Sequence, residues 1–225
     1  MTFLKIVHRG ASAYEPENTL LAFKKALELG ADAVELDVRA TRDGELVVMH
    51  DHKLDRTTNG KGFVKNFSLK EIQRLDAGKG EPVPTLRQAL EMLRGKAVVF
   101  VELKERGTES KAVALIEELR LEDTVFVVSF EAESIARVKK LNRGIRTGLI
   151  SVLPAGVIDK TLDVKADAVL PQHTLVSKEF VDRAHASKLL VFAWAVDDPG
   201  EAQRLKDSGV DGVASNKPDI LSSLR

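Results

Sequence analysis

Two acids, Glu35 and Asp37, stand two positions apart in the apolar run Ala33-Val34-Glu35-Leu36-Asp37-Val38. In a strand, residues two apart share a face. The two carboxylates therefore project together while Leu36 points the other way. Adjacent acids on a buried strand repel unless a cation lies between them. Hard oxygen ligands on a rigid strand suit Mg²⁺ or Ca²⁺. Glu102 follows a second apolar run, Val98 to Val101, and offers a third oxygen. Lys104, two residues on, shares its face and could hold a phosphoryl oxygen. His8 and Arg9 end the run Phe3 to Val7, and His50 ends the run Glu45 to Met49. Histidine titrates near neutrality, so one imidazole can take a proton while another gives one. Arginine can fork onto a phosphate.

Each residue also has a plainer explanation. Glu35 and Asp37 could be solvated acids on an edge strand, but their apolar neighbours favour a central one. Glu102 and Lys104 could be a structural ion pair, Arg9 a surface salt bridge, and a lone strand-end histidine a satisfied structural residue. Trp194, the only tryptophan, could wall a substrate pocket or fill the core. His173 sits at a strand end and could line the same mouth. His52 and His185 are weaker candidates, and His185 falls in a helical pattern. A cluster of three acids, an arginine, a lysine and two histidines suits an anionic substrate with a leaving oxygen, because phosphoryl transfer needs charge neutralised and a proton delivered.

The elements that must position these side chains follow from periodicity. Leu20, Phe23, Ala26 and Leu27 recur at helical spacing, with Asn18 as the expected cap and Gly30 as the stop. Thr41-Arg42-Asp43-Gly44 joins the acid-bearing strand to the next run. Asp-Gly is a two-residue hairpin signal, which predicts position 42 opposite 45 and hence His50 opposite Asp37. Residues 51–83 are too long for a strand–helix loop and predict a small insertion with a short helix from Leu69 to Leu75. A helix over Leu86–Leu93, capped by Thr85, leads into the run Ala97–Val101. From there strands and helices alternate: helices near 108–120, 131–141, 154–162, 177–187, 198–207 and 217–224, and strands at 125–128, 146–150, 168–170, 189–196 and 212–214. With the 45–49 run set aside as a hairpin arm, eight strands remain. Alternating units imply a parallel sheet, and eight imply a (β/α)₈ TIM barrel, with the small insertion after the hairpin. An open doubly wound sheet of nine strands is the alternative. No G-x-G-x-x-G follows the first strand, so a dinucleotide fold has no support. In a barrel the catalytic residues lie at the C-terminal strand ends, which is where the polar residues above fall.

The 225 residues are 44% hydrophobic and 30% charged, with no cysteine and a formal net charge of zero. That fits one soluble domain over 1–225 with 51–83 as its insertion. It argues against nucleic acid or an anionic membrane surface as partner. Disulfides, thiolate metal sites and a cysteine nucleophile are excluded. No apolar run approaches a membrane span, and the start MTFLKIVHRG lacks a signal-peptide core, so the expected location is cytoplasmic, without stable membrane association.

The motifs His8-Arg9-Gly10, Pro16-Glu17-Asn18-Thr19, Glu35-Leu36-Asp37-Val38, Thr41-Arg42-Asp43-Gly44, His50-Asp51, Leu54-Asp55-Arg56-Thr57-Thr58-Asn59-Gly60, Pro84-Thr85-Leu86 and Glu102-Leu103-Lys104, in that order, resemble the glycerophosphodiester phosphodiesterases. Gly209-Val210-Asp211-Gly212-Val213 is similar to the family's last strand. The resemblance implies hydrolysis of small-molecule glycerophosphodiesters to an alcohol and sn-glycerol 3-phosphate. It implies Ca²⁺ or Mg²⁺ on Glu35, Asp37 and Glu102, acid–base work by His8 and His50, and phosphate contacts from Arg9 and Lys104. It also implies attack by a substrate glycerol hydroxyl, giving a cyclic phosphate that water opens. Two departures stand late in the chain. Where the family often has W/Y-T-V-N, this chain has Trp194-Ala195-Val196-Asp197; where it often has T-D-x-P, this chain has Ser215-Asn216-Lys217-Pro218. They bear on head-group preference. A lysophospholipase D on the same barrel, a noncatalytic metal- or phosphate-binding barrel, and an unrelated barrel enzyme with a metal-stabilised enolate are the competing readings. The last lacks the late-strand lysine it would use.

Overall fold

A computed structural model describes residues 2–153, 155–222 and 224. The chain runs β1 (Leu4–His8), α1 (Leu20–Glu28), β2 (Ala33–Ala40), β3 (Leu46–Val48), α2 (Leu69–Ile72), α3 (Leu86–Leu93), β4 (Val98–Leu103), α4 (Glu109–Leu119), β5 (Val125–Ser129), α5 (Ala132–Leu141), β6 (Arg146–Ser151), α6 (Val157–Asp163), β7 (Ala168–Pro171), α7 (Lys178–Ala186), β8 (Leu190–Ala193), α8 (Pro199–Asp207), β9 (Gly212–Ser215) and α9 (Pro218–Ser222). The strands order as β1-β9-β8-β7-β6-β5-β4-β2, and a β1–β2 pairing closes the ring. All eight pairings are parallel. This is the expected (β/α)₈ barrel, with β3 as an antiparallel arm on β2. The helix predicted near 154–162 begins at Val157, and residue 154 lies outside the described residues. The last helix ends at Ser222, with residue 223 outside them too. Among the described residues no helix is long and apolar enough to cross a membrane.

Strands buried on both faces produce two concentric cores. Outside the barrel, alternate strand residues such as Val34, Leu36, Val99 and Val101 pack against the helices. Inside it, Ile6, Phe100, Phe126, Val128, Phe192 and Ala214 form the filling. Phe100 stacks on Phe126 with centroids 4.7 Å apart, and Phe192 meets both edge-on. This aromatic plug makes the barrel a packed core rather than a pore. Residues 51–83 carry their own apolar cluster, in which Leu54, Val64, Ile72, Ala77 and Val83 pack on Val47 and Met49 of the hairpin arm.

Two local expectations are corrected. The hairpin pairs Val38 with Val48, Arg39 with Val47 and Ala40 with Leu46, one residue away from the predicted register. The loop has three residues, Arg42-Asp43-Gly44, closed by the Thr41 N–H donating to Glu45 O. Gly44 takes the left-handed conformation (φ 76°) that such loops need. Asp43 lies within this turn, where its carboxylate accepts both the Thr41 hydroxyl and the Leu69 N–H, docking residues 51–83. Asn18 does not cap α1. Thr19 does, accepting the Ala22 N–H at 3.2 Å. Asn18 instead sits at φ 59°, a conformation asparagine tolerates better than most residues.

Candidate active site

The barrel register assembles the acid cluster from two neighbouring strands and sets His8 of a third beside it. His8 of β1 lies beside Glu35 of β2, and Asp37 lies beside Glu102 of β4. One oxygen from each of Glu35, Asp37 and Glu102 falls within 4.8 Å of the others. All three carboxylates are buried, Asp37 completely. Glu35 Oε1 and Asp37 Oδ1 have no hydrogen-bond partner. A buried carboxylate oxygen left bare is costly. Two of them in one three-acid cluster, Asp37 Oδ1 with only the Lys104 ammonium 3.5 Å away, fit a hard divalent cation.

The remaining partners hold the cluster open. The Arg9 N–H donates to Glu35 Oε2 at 3.0 Å, made possible by the left-handed φ of 57° at Arg9. The Arg9 guanidinium donates to Glu17 and lies 3.2 Å from Asp37 Oδ2. Asn18 Nδ2 donates to Asp37 Oδ2 at 2.8 Å, and its Oδ1 accepts the Asp37 N–H. Lys104 Nζ donates to Glu102 at 2.6 Å and lies 3.5 Å from Asp37. An ammonium has three donors, so Lys104 keeps capacity for a phosphate oxygen.

Burial, and then the charge of Asp37, push the Glu35 carboxyl up to about 8. The same two causes bring Glu102 up to about 8. Burial acts upward on Asp37 too, but Arg9 and Lys104 outweigh it and hold Asp37 below its ordinary value. One ionised acid between two reluctant ones is what repulsion in low dielectric produces.

His8 and His50 flank the cluster. His8 Nε2 lies 3.8 Å from Glu35 Oε2, and its Nδ1 lies 2.8 Å from Asn216 Oδ1. Burial and Arg9 lower the pKa of His8. His50 lies beyond the last residue of β3, so its direction is free of the strand's alternation. Its Nδ1 lies 2.7 Å from Asp51 Oδ1. Burial lowers its pKa against the pull of Asp37 and Asp51. Arg56 clamps Asp51 (2.8 and 3.0 Å) and Glu17 (2.7 and 2.8 Å) together. A continuous chain thus runs from His50 through Asp51, Arg56, Glu17 and Arg9 to Asp37.

These groups line one side of a cavity of about 290 Å³, with His8, Arg9, Glu35, His50, Glu102 and Lys104 on the polar side. Phe130, Val128, Ile150, Leu170, Phe192 and Trp194 form the apolar side. Trp194 is held by its indole N–H donating to Leu170 O at 2.8 Å and meets Phe130 edge-on. His173 is not brought to the cavity lining: its ring pairs with Glu201 at 2.9 Å, because the chain turns outward into a short 3₁₀ turn after β7. His52 stacks on Phe63 in the insertion, and His185 pairs with Asp211. Asn18, Glu17, Arg56 and Phe130 join the site without having been singled out for it, and Asn216, noted only as a departure bearing on head-group preference, joins it beside His8. Asn18, Glu17 and Arg56 lie inside quoted motifs, so a signal existed; Phe130 follows a strand end with no motif.

The sequence profile described as "Glycerophosphoryl diester phosphodiesterase family" matches residues 8–220. The chain is 39% identical over 240 residues to a glycerophosphodiester phosphodiesterase of Caldanaerobacter subterraneus subsp. tengcongensis, covering 100% of this chain and 98% of that one. It is 35% identical to a glycerophosphodiester phosphodiesterase of Bacillus subtilis, over 99% of this chain and 86% of that one. Among solved structures, a glycerophosphodiester phosphodiesterase from Agrobacterium tumefaciens superposes with a TM-score of 0.90 at 32% identity, covering all of both chains. A phosphodiesterase from Oleispira antarctica, in complex with the product sn-glycerol-3-phosphate, gives 0.88 at 29% identity, over 97% of this chain and 94% of that one.

Proposed function

Since this chain belongs to the glycerophosphoryl diester phosphodiesterase family, we propose that it hydrolyses glycerophosphodiesters to an alcohol and sn-glycerol 3-phosphate, as one barrel domain over 1–225 with 51–83 as its insertion. The observation that carries this reading is the buried trio Glu35, Asp37 and Glu102, with two bare oxygens and a histidine on either flank. These acids would hold a divalent cation, Mg²⁺ or Ca²⁺, in line with the metal dependence of the family. Bound there, the cation would neutralise charge on the phosphate's nonbridging oxygens.

The chain's own residues do the rest. Lys104, with free donors, and Arg9 orient the phosphate against the acid cluster. A glycerol hydroxyl of the substrate attacks phosphorus while one histidine of the pair His8–His50 takes its proton. The other histidine protonates the departing alcohol oxygen, leaving a cyclic phosphate. In the second step the roles reverse: the histidine now lacking a proton takes one from water, and the protonated one returns its proton to the glycerol oxygen. Burial lowers the pKa of both imidazoles, and each engages a fixed partner through Nδ1; the first step starts with one ring neutral and the other protonated. That leaves both Nε2 atoms for proton traffic. Asp51 and Asn216 each favour the protonated form of their histidine, against burial.

A second reading has one observation in its favour. Phe130, and Val152 and Leu153 just past β6, expose apolar side chains at the mouth end, Leu153 to 68%. This rim suits the acyl chain of a lysophospholipid. A coupled assay for glycerol 3-phosphate, with choline release measured for the lysolipid because its glycerol phosphate keeps the acyl chain, separates the two readings. With glycerophosphocholine, glycerophosphoethanolamine, glycerophosphoglycerol and lysophosphatidylcholine offered in Mg²⁺ or Ca²⁺, rapid glycerol 3-phosphate release from the first three is expected. Turnover of the lysolipid alone would favour the second reading, and no turnover of any would end both. Replacing either His8 or His50 with alanine should abolish turnover; near-normal activity in either variant would remove the histidine pair.

A further inference from the structure

His8 meets the cavity with one ring nitrogen while the other is committed to the far side of the chain. Nδ1 lies 2.8 Å from Asn216 Oδ1. An amide oxygen has no proton to give, so Nδ1 must be the donor. The orientation of the Asn216 amide is set in turn by Asp197. Asp197 Oδ1 accepts the Asn216 backbone N–H at 2.8 Å and the Ser215 hydroxyl at 2.9 Å. Its Oδ2 accepts Asn216 Nδ2 at 2.6 Å. A carboxylate only accepts, so Asn216 must turn its NH₂ to Asp197 and its oxygen to His8. The Ser12 hydroxyl lies 2.9 Å from both Asn216 Oδ1 and His8 O and can give its one proton to either. A half-turn of the amide would set oxygen against carboxylate and NH₂ against Nδ1–H.

We propose that Asn216, aligned by Asp197, is a positioning residue that fixes the His8 ring in its Nδ1–H tautomer and leaves Nε2 as the nitrogen that exchanges protons with the substrate. Only the last clause rests on the phosphodiesterase reading. The proposal also accounts for one change in each late departure from the family pattern. At position 197 the usual Asn is Asp, and at 216 the usual Asp is Asn. The two positions are hydrogen-bonded to each other, so these two changes are one exchange, with Ala195 and Ser215 outside it. Either arrangement pairs an amide with a carboxylate, whereas two carboxylates would repel and two amides would leave the orientation loose.

Two measurements test this. The first is the imidazole ¹⁵N–¹H correlation spectrum of the unaltered protein in Mg²⁺ at alkaline pH, where the rings are neutral, with the His8 signals identified by their loss in His8→Gln. A proton on Nδ1 and a lone-pair shift at Nε2 are expected; the opposite tautomer overturns the proposal. The second is an exchange series. Asn216→Asp alone places two carboxylates in contact and should lower kcat by roughly 10–100-fold with KM little changed, the scale of an outer-shell orienting partner. Asp197→Asn combined with Asn216→Asp should recover most of that loss, because the pairs are coupled rather than additive. A double variant no better than Asn216→Asp overturns the proposal. The failures are separable. A protein inactive on every glycerophosphodiester but carrying the Nδ1–H tautomer contradicts the activity alone. An active protein with the Nε2–H tautomer contradicts the positioning role alone.

Discussion

Substituting Glu35 by Gln should make the chelated protein more stable and the enzyme inactive. Glu35 is buried beside Asp37 and Glu102, and its carboxyl is pushed from 4.5 up to about 8. The unfolded chain keeps the ordinary value. A raised carboxyl contributes nothing unfavourable below 4.5, and the folded state loses stability as the pH climbs from there to about 8. Each pH unit in that window costs about 1.4 kcal/mol, so the burden near neutral pH is roughly 3 kcal/mol. Glutamine does not ionise, its carbonyl can still accept the Arg9 N–H, and its NH₂ enters a cluster with the bare Asp37 Oδ1. Some of the relief is offset because Glu102 shares the repulsion. A net gain of about 2 kcal/mol is expected, a rise in melting temperature of roughly 4–8 °C for a chain of this size. The assay is thermal unfolding in EDTA at pH 5 and at neutral pH, with the gain appearing only at the higher pH. Adding Mg²⁺ should then raise the melting temperature of the parent, by about 2.7 kcal/mol of stability at a hundredfold excess over its dissociation constant, and leave the variant nearly unmoved. A variant less stable than the parent under chelation at neutral pH, or one that gains as much from Mg²⁺, would refute the reasoning.

Arg56→Met removes the clamp on Asp51 and Glu17 and should lower kcat by roughly 10–100-fold through His50, while half-exposed ion pairs of this kind change the stability by no more than about 1 kcal/mol; steady-state kinetics beside a urea melt check both. Gly10→Ala places a methyl 2.8 Å from the backbone carbon of Ala22 at a φ of 74°, and should cost about 2 kcal/mol or more, whereas Gly44→Ala meets nothing within 4 Å and should cost only about 1 kcal/mol; paired urea titrations give the contrast. Trp194→Ala strips one wall of the cavity and should raise KM about tenfold with kcat largely kept, since it removes uniform binding rather than proton transfer.

The barrel is legible in the sequence because its strands are buried on both faces and its helices on one, so each element carries its own period. The acid pair is legible for the same reason: Glu35 and Asp37 interrupt a run that burial would otherwise make wholly apolar. What the sequence conceals is contact between distant residues. Asn216 meets His8 across 208 positions, and only the closure of β9 onto β1 brings them together. The hairpin register is hidden differently. Asp43-Gly44 fits a two-residue turn locally, but the insertion claims the Asp43 carboxylate through Leu69, and the loop widens to three. Asn18 satisfies every local rule for a cap, yet Asp37, nineteen positions on, holds both ends of its amide. His173 shows the converse. A strand-end position is no guarantee of facing the mouth when the chain turns outward at once.

The division of the cavity explains why the charged groups share one side. His8, Glu35, Asp37, Glu102 and Lys104 come from β1, β2 and β4 or the residues just beyond them, which are neighbours in the ring. The ends of β5 to β8 contribute Val128, Phe130, Ile150, Leu170 and Trp194. An apolar wall facing an acid cluster lowers the local dielectric and strengthens every charge interaction across the gap. That raises the cost of the bare cluster and also the attraction for a cation and the phosphate that follows it. In the proposed reaction the anionic phosphate is therefore drawn to the β1–β2–β4 side, and the uncharged parts of the substrate lie against the aromatic wall. Chemistry and selectivity then reside on different strands, so changes at Phe130 or Trp194 should alter which diester is preferred while the histidine pair and the acid trio keep the same reaction.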